Sequence, residues 1–204
     1  MIPDGRQFYK MSGSGNDFVF IDARSEPAEA FVRPEAIAAI CARGTGVGAD
    51  GIVLLERSER ATVGIRYYNR DGSLASLCGN ATLCTTRLSV ELGAAPTSGF
   101  TVETGAGVVA ARILRDGAPE IDLQPVDEVR PDAGIEAVEG ERRLGFALVG
   151  VPHLAVLLDD VEEVDVVGRG RTLRHHASLR QGANVNFLAP DGVGGWRIRT
   201  YERG

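Results

Sequence analysis

Lysine is nearly missing: Lys10 is the single lysine in a chain with 22 basic residues. A pyridoxal phosphate enzyme needs a lysine for its Schiff base, so that chemistry would have to rest on Lys10. Lys10 lies in a strand-like run, Gln7 to Met11, ahead of a glycine-rich turn, and reads better as a side chain snorkelling at a sheet edge. Cysteine is scarce as well. Cys41, Cys78 and Cys84 are odd in number and match no zinc spacing, which argues against a disulfide framework and for a reducing compartment. Aromatic residues make up 6% and the net charge is -6. With neither a basic stripe nor interleaved aromatics, a nucleic-acid partner is not expected. Every long apolar stretch is broken by Pro, His or a charge, and Met1 to Arg6 is not a basic segment leading into an apolar one. No membrane role is therefore expected, and the reading is cytoplasmic.

What is present is ordinary for a globular chain: 204 residues, 44% hydrophobic and 25% charged. Strand patterns are predicted at Gln7 to Met11, Phe18 to Asp22, Gly51 to Leu55, Gly64 to Tyr68, Phe100 to Thr104, Gly107 to Leu114 and Glu120 to Leu123. Helical spacing marks Arg33 to Ala42, with Pro34 near its start and Gly44 after its end, and Ala81 to Leu92. The Pro- and Asp-rich segment Gln124 to Ala133 reads as a linker. Beyond it come strands at Leu144 to Val149, Leu154 to Leu158, Asn184 to Leu188 and Trp196 to Tyr201, with a helix expected around Val161 to Val167.

Two glycine-rich stretches are not nucleotide sites. Gly44 to Gly51 follows a helix and precedes a strand, the reverse of a dinucleotide fingerprint. Ser12 to Asn16 joins two strands and lacks the Lys-Ser or Lys-Thr of a P-loop. Both read as tight turns.

The two halves echo each other in order. Gly15 to Asp22 answers to Gly150 to Leu157, Gly48 to Ile52 to Gly182 to Asn186, and Ile65 to Arg70 to Ile198 to Arg203. The offsets stay near ~135, ~134 and ~133 residues, the mark of duplication. Cys78-Gly79-Asn80 follows the Asn69 to Ser73 loop and opens a helix. On that segment alone, a small buried thiol is the better reading. A cysteine at a first helical turn also faces the positive end of the backbone dipole, which favours a thiolate. Counted from Glu202, the second copy of this thiol falls near ~211, beyond Gly204. Two lobes with a thiol apiece suit a two-base stereoinversion, one thiolate removing a proton from a carbon and the opposite thiol returning one to the other face.

These residues resemble the diaminopimelate epimerases, pyridoxal-independent amino-acid epimerases of lysine and peptidoglycan precursor biosynthesis. The matching words are Lys10-Met11 with Gly15 to Phe18, Gly46 to Gly51, Asn69 with Asp71 to Ser73, Cys78 to Asn80, Pro152-His153, Asn184-Val185 and Glu202 to Gly204. The resemblance implies Cys78 as a catalytic base and acid, His153 and Glu202 as groups tuning the thiol pair, and Asn16, Asn69, Gly79, Asn80, Asn184, Glu202 and Arg203 as substrate contacts. It implies a small amino-acid substrate, no cofactor or metal, and a homodimer. Val151 stands where the family usually has Asn, and Ala81 where it usually has Gly. Val151 keeps open an epimerase or racemase of another amino acid on the same scaffold; from a different class, a non-catalytic amino-acid-binding fragment is the other alternative.

The expected fold is α+β: two pseudo-symmetric lobes, each a mixed or antiparallel sheet wrapped around a central helix, with the active site in the cleft between them. Residues 1–123 form the first lobe. Residues 134–204 form a second one that lacks the second cysteine motif and its central helix, so the 204-residue form is expected to be inactive and poorly stabilised alone.

Overall fold

The computed structural model describes residues 5–202 except Gln124 and Asp127. The chain divides into two compact units, residues 1–124 and 125–204.

The first unit opens with the hairpin β1 (Tyr9–Gly13) and β2 (Asn16–Asp22), whose pairing runs to Gly13 opposite Asn16. The predicted five-residue turn shrinks to Ser14-Gly15. Both residues have positive φ, 51° and 91°, the geometry that suits a two-residue turn to the twist of its strands. Then follow α1 (Pro34–Cys41), β3 (Gly51–Glu56), β4 (Val63–Asn69), β5 (Leu74–Ala75), α2 (Gly79–Glu91), β6 (Phe100–Thr104), β7 (Gly107–Ile113) and β8 (Pro119–Asp122). The main sheet order is β1-β2-β3-β4-β6-β7-β8, with β5 paired to β4.

Alternation along the strands divides the apolar residues between two faces. Phe18, Phe20, Val53, Leu55, Ile65 and Tyr67 pack with Ala81, Cys84 and Leu88 of α2. Val19, Ile21, Ile52 and Leu54 pack with Ile37, Ile40 and Cys41 of α1. With both faces covered, β3 reads as an unbroken apolar run. Helix α2 touches β1 and β8, the two edges of the sheet, as well as β4 and β7, so the sheet wraps around it.

Helix α2 is buried despite its hydroxyls. Thr82, Thr85 and Thr86 are fully buried, and their Oγ1 atoms donate to the carbonyls of Cys78, Ala81 and Thr82 at 2.8–2.9 Å. Ser89 Oγ is buried with no partner among the described residues. A buried hydroxyl without a partner costs more than the methyl that would replace it, and Ala is the better helix former. Ser89→Ala is therefore expected to stabilise the unit by about 1 kcal/mol, read as a higher urea midpoint at unchanged m-value; a lower midpoint would mean that the hydroxyl is satisfied.

The second unit contains β9 (Glu128–Arg130), β10 (Glu141–Val149), β11 (Val151–Leu158), α3 (Val166–Arg174), β12 (Asn184–Pro190) and β13 (Trp196–Tyr201), in the sheet order β13-β12-β11-β10-β9. Strand β9 lies inside the stretch predicted as linker. Its three exposed residues pair with β10 through backbone bonds and so leave no apolar pattern to read.

The expected helix at Val161 to Val167 is also displaced. Val161 belongs to the core, and Asp165 caps a helix that begins one residue later, its carboxylate accepting from the Gly168 amide at 2.9 Å. Gly168 and Gly170 make this segment look like a loop. A Cβ on Gly170 would lie 2.5 Å from the Tyr201 ring, so close packing of α3 on β13 requires a glycine there.

The repeat is visible in the topology. The pairs β1·β2, β2·β3 and β3·β4 are antiparallel, parallel and antiparallel, and so are β10·β11, β11·β12 and β12·β13. Helices α1 and α3 occupy the same place in each unit, in the parallel crossover. Leu154, Val156, Val185 and Phe187 pack with Leu173 of α3 in a second core. On the other face Trp196 and Ile198 are 59% and 57% exposed. Among the described residues no helix is long and apolar enough to cross a membrane.

Candidate active site

Cys78 is the N-cap residue of α2, with extended backbone (φ -137°, ψ 112°). Its carbonyl accepts from the Thr82 amide and hydroxyl, which fixes the first turn and leaves the thiol at the helix entrance, half-buried against the core. The first amides of a helix have no intrahelical partner, so Gly79 and Asn80 bring N–H donors to the same place. The other two thiols are buried, at 5% exposure for Cys41 and 4% for Cys84. Burial pushes the Cys41 thiol up; burial and then the charge of nearby Cys78 push Cys84 up to about 11. No cysteine is in a disulfide. The structure thus separates one half-exposed thiol at a helix N-terminus from two packing residues.

Asn16 and Asn80 are brought together from 64 residues apart. Asn80 Nδ2 donates to Asn16 Oδ1 at 2.7 Å, and Asn16 Nδ2 donates to Asp50 Oδ2 at 3.2 Å. A carboxylate only accepts, so Asp50 dictates which way the Asn16 amide points, and Asn16 in turn orients Asn80. Asp50 also accepts from the Asp17 amide at 3.1 Å and from Arg43 at 2.9 Å. Arg43 bonds both oxygens of Asp17, and Lys10 reaches Asp17 at 2.7 Å and the Gly48 carbonyl. The Arg43 guanidinium, with Lys10, holds the Asp17 carboxyl well below the usual carboxylate range. Lys10 is therefore an ion-pair partner at the sheet edge as well as a snorkelling side chain. Asp17, Arg43 and Asp50 were not predicted as site residues; the Gly48 to Gly51 motif was the available signal.

Asn69 ends β4 directly opposite Gly51 of β3, next to Asp50. Its side-chain amide donates to Ser73 Oγ at 3.0 Å, and its backbone exchanges bonds with Ser73 and Gly72. The loop closes on itself and presents Asn69 at the same end of the sheet as Asn16 and Asp50. An open depression lined by Arg24, Glu56 and Arg57 lies at the opposite end of β2 and β3, away from this cluster.

In the second unit His153 of β11 and Asn184 of β12 are directly paired, and Glu202 follows β13 at the same end of that sheet. Asn186, not singled out from the sequence, reaches His153 Nδ1 at 3.3 Å. Val151 starts β11, half-buried. Arg203 lies outside the described residues. His175 and His176 close α3, where His176 Nδ1 bonds Ser178 Oγ at 2.8 Å.

In fold the chain matches a phenazine biosynthesis protein of the PhzF family from Bacillus anthracis over 97% of this chain and 71% of that one, with a TM-score of 0.69 at 18% identity. It matches a hydroxyproline epimerase from Agrobacterium vitis over 97% and 70%, with a TM-score of 0.64 at 19% identity. The class so defined is the duplicated two-sheet α+β fold that these proteins share. The sequence narrows it: the diaminopimelate epimerase family profile matches residues 8–127. A diaminopimelate epimerase from Gemmatimonas aurantiaca is 52% identical over 200 residues, 97% of this chain and 72% of that protein. One from Aquifex aeolicus is 37% identical over 208 residues, 97% and 74% of the two chains. The chain belongs to the diaminopimelate epimerase family.

Proposed function

We propose that this protein acts in the cofactor-independent, two-base epimerisation of LL-diaminopimelate to the meso isomer, a step toward lysine and peptidoglycan precursors. The supporting observation is the half-exposed Cys78 at the entrance of α2, beside an oriented pair of amides, in a chain of this family. Cys78 moves the proton at one face of the α-carbon. The Gly79 and Asn80 amides, at the positive end of α2, stabilise charge developing on the substrate carboxylate. The second N–H of Asn16 and the oxygen of Asn80 fit a carboxylate and an ammonium, as an α-amino acid requires. Asn69, Asn184, Glu202 and Arg203 complete the substrate contacts, and His153 and Glu202 tune the thiols. Proton transfer at the opposite face needs a second acid/base, and neither Cys41 nor Cys84 is placed for it. The protein works in the cytoplasm as a homodimer.

Incubation with LL-diaminopimelate in deuterated water tests the reading. Deuterium is expected at one α-carbon; inversion accompanying it reports that both proton transfers operate. Binding without exchange overturns the catalytic reading in favour of an amino-acid-binding protein.

A further inference from the structure

We propose that Asn186 is a positioning residue that fixes the tautomer of His153, keeping Nδ1 unprotonated and the ring proton on Nε2. The inference rests on the role given to His153 above. Asn186 lies on β12 between Ala155 of β11 and Thr200 of β13. Its Nδ2 is 3.2 Å from the Leu154 carbonyl, 3.4 Å from the Asn184 carbonyl and 3.3 Å from His153 Nδ1. Its Oδ1 accepts from Thr200 Oγ1 at 3.1 Å.

Carbonyl oxygens only accept. A flipped amide would set Oδ1 against two of them, whereas the Thr200 hydroxyl can rotate to suit either orientation. The two carbonyls therefore decide which way the Asn186 amide points, and its NH₂ faces the imidazole. The two hydrogens of this NH₂ are shared among three acceptors, but a protonated Nδ1 would set its own hydrogen against a group that only donates, so neutral His153 carries its hydrogen on Nε2. The chemical consequence is a choice between two roles. With Nδ1 engaged and Nε2 protonated, the neutral ring has no free lone pair at Nε2 for a thiol proton. It serves by donating a hydrogen bond that steadies a thiolate, not as the base that creates one.

Nitrogen-15 spectra of imidazole-labelled protein at alkaline pH, where the ring is neutral, read the tautomer directly. His153 is identified against a His175→Gln/His176→Gln double variant. A pyridine-type Nδ1 signal and a pyrrole-type Nε2 signal are expected. Asn186→Ala should abolish this fixed preference and move both signals toward the average of the two tautomers. Thr200→Val, which leaves the two carbonyls in place, should preserve it. A pyrrole-type Nδ1 in the wild-type protein overturns the assignment without recourse to any variant. Unchanged His153 signals in a folded Asn186→Ala protein would overturn the role of Asn186. Absence of α-proton exchange together with the expected tautomer would count against the proposed function and leave this assignment standing.

Discussion

Cys78→Ser is expected to reduce α-proton exchange by roughly 10²–10⁴-fold, the usual contribution of a positioned acid/base, without loosening the fold. Oxygen and sulfur differ little in size here, but a serine hydroxyl is far too weak an acid to supply an anion near neutral pH. The stability readout should run the other way. Cys78 is the N-cap of α2 and makes no side-chain capping bond, whereas serine at an N-cap accepts from the first-turn amides. The variant should melt at the same temperature or slightly above, so lost exchange cannot be put down to unfolding. Cys84→Ala should show the converse pattern, with exchange largely kept and stability lowered, because Cys84 packs against the sheet and would leave a gap beside Gly13. Exchange surviving in Cys78→Ser would remove Cys78 from the mechanism.

The second large effect is expected at a residue with no side chain. Gly51→Ala should cost about 3 kcal/mol, near the upper end for overpacking, measured as a lower urea midpoint. A Cβ there would lie 2.3 Å from the Tyr68 carbonyl oxygen and 2.5 Å from the Tyr67 ring. Its φ is not among the positive values, so the strain is a collision and not a forbidden backbone angle. Tyr67 has little room to yield, being 9% exposed and set edge-on to Phe18 with ring centroids 5.7 Å apart. The Tyr68 carbonyl belongs to β4, one residue from Asn69, and Gly51 adjoins Asp50. Any backbone shift that relieves the clash should therefore also disturb the site and lower activity beyond the stability loss. Gly79→Ala, where a Cβ would meet nothing within 4 Å, should leave the fold intact. A cost under about 1 kcal/mol for Gly51→Ala would show that Tyr67 swings clear.

The strands were legible because their signals are local. Phe100–Thr104 and Trp196–Tyr201 fall where the alternating residues put them, and the near-constant offset between halves anticipated two sheets with the same pairing pattern. Strand β9 and helix α3 were not legible. β9 is exposed and held by backbone pairing with β10 and by the Arg130 guanidinium stacked 4.2 Å from the Phe146 ring centroid, neither of which leaves an apolar pattern. In α3 the glycine at 170 answers to the Tyr201 ring across the unit, a demand invisible from neighbours in sequence.

The site divides in the same way. By itself the sequence determined the family, the twofold repeat, the thiol at a helix entrance and the words around it, because each is a short run whose chemistry depends on adjacent residues. Only the tertiary structure decided that Asp50 orients Asn16 and through it Asn80, and that Asn186 stands behind His153. Those bonds join residues 34, 64 and 33 positions apart. The direction of an amide or the tautomer of an imidazole is set by whichever acceptor the fold brings within about 3 Å, and no local pattern in the chain records which one that will be.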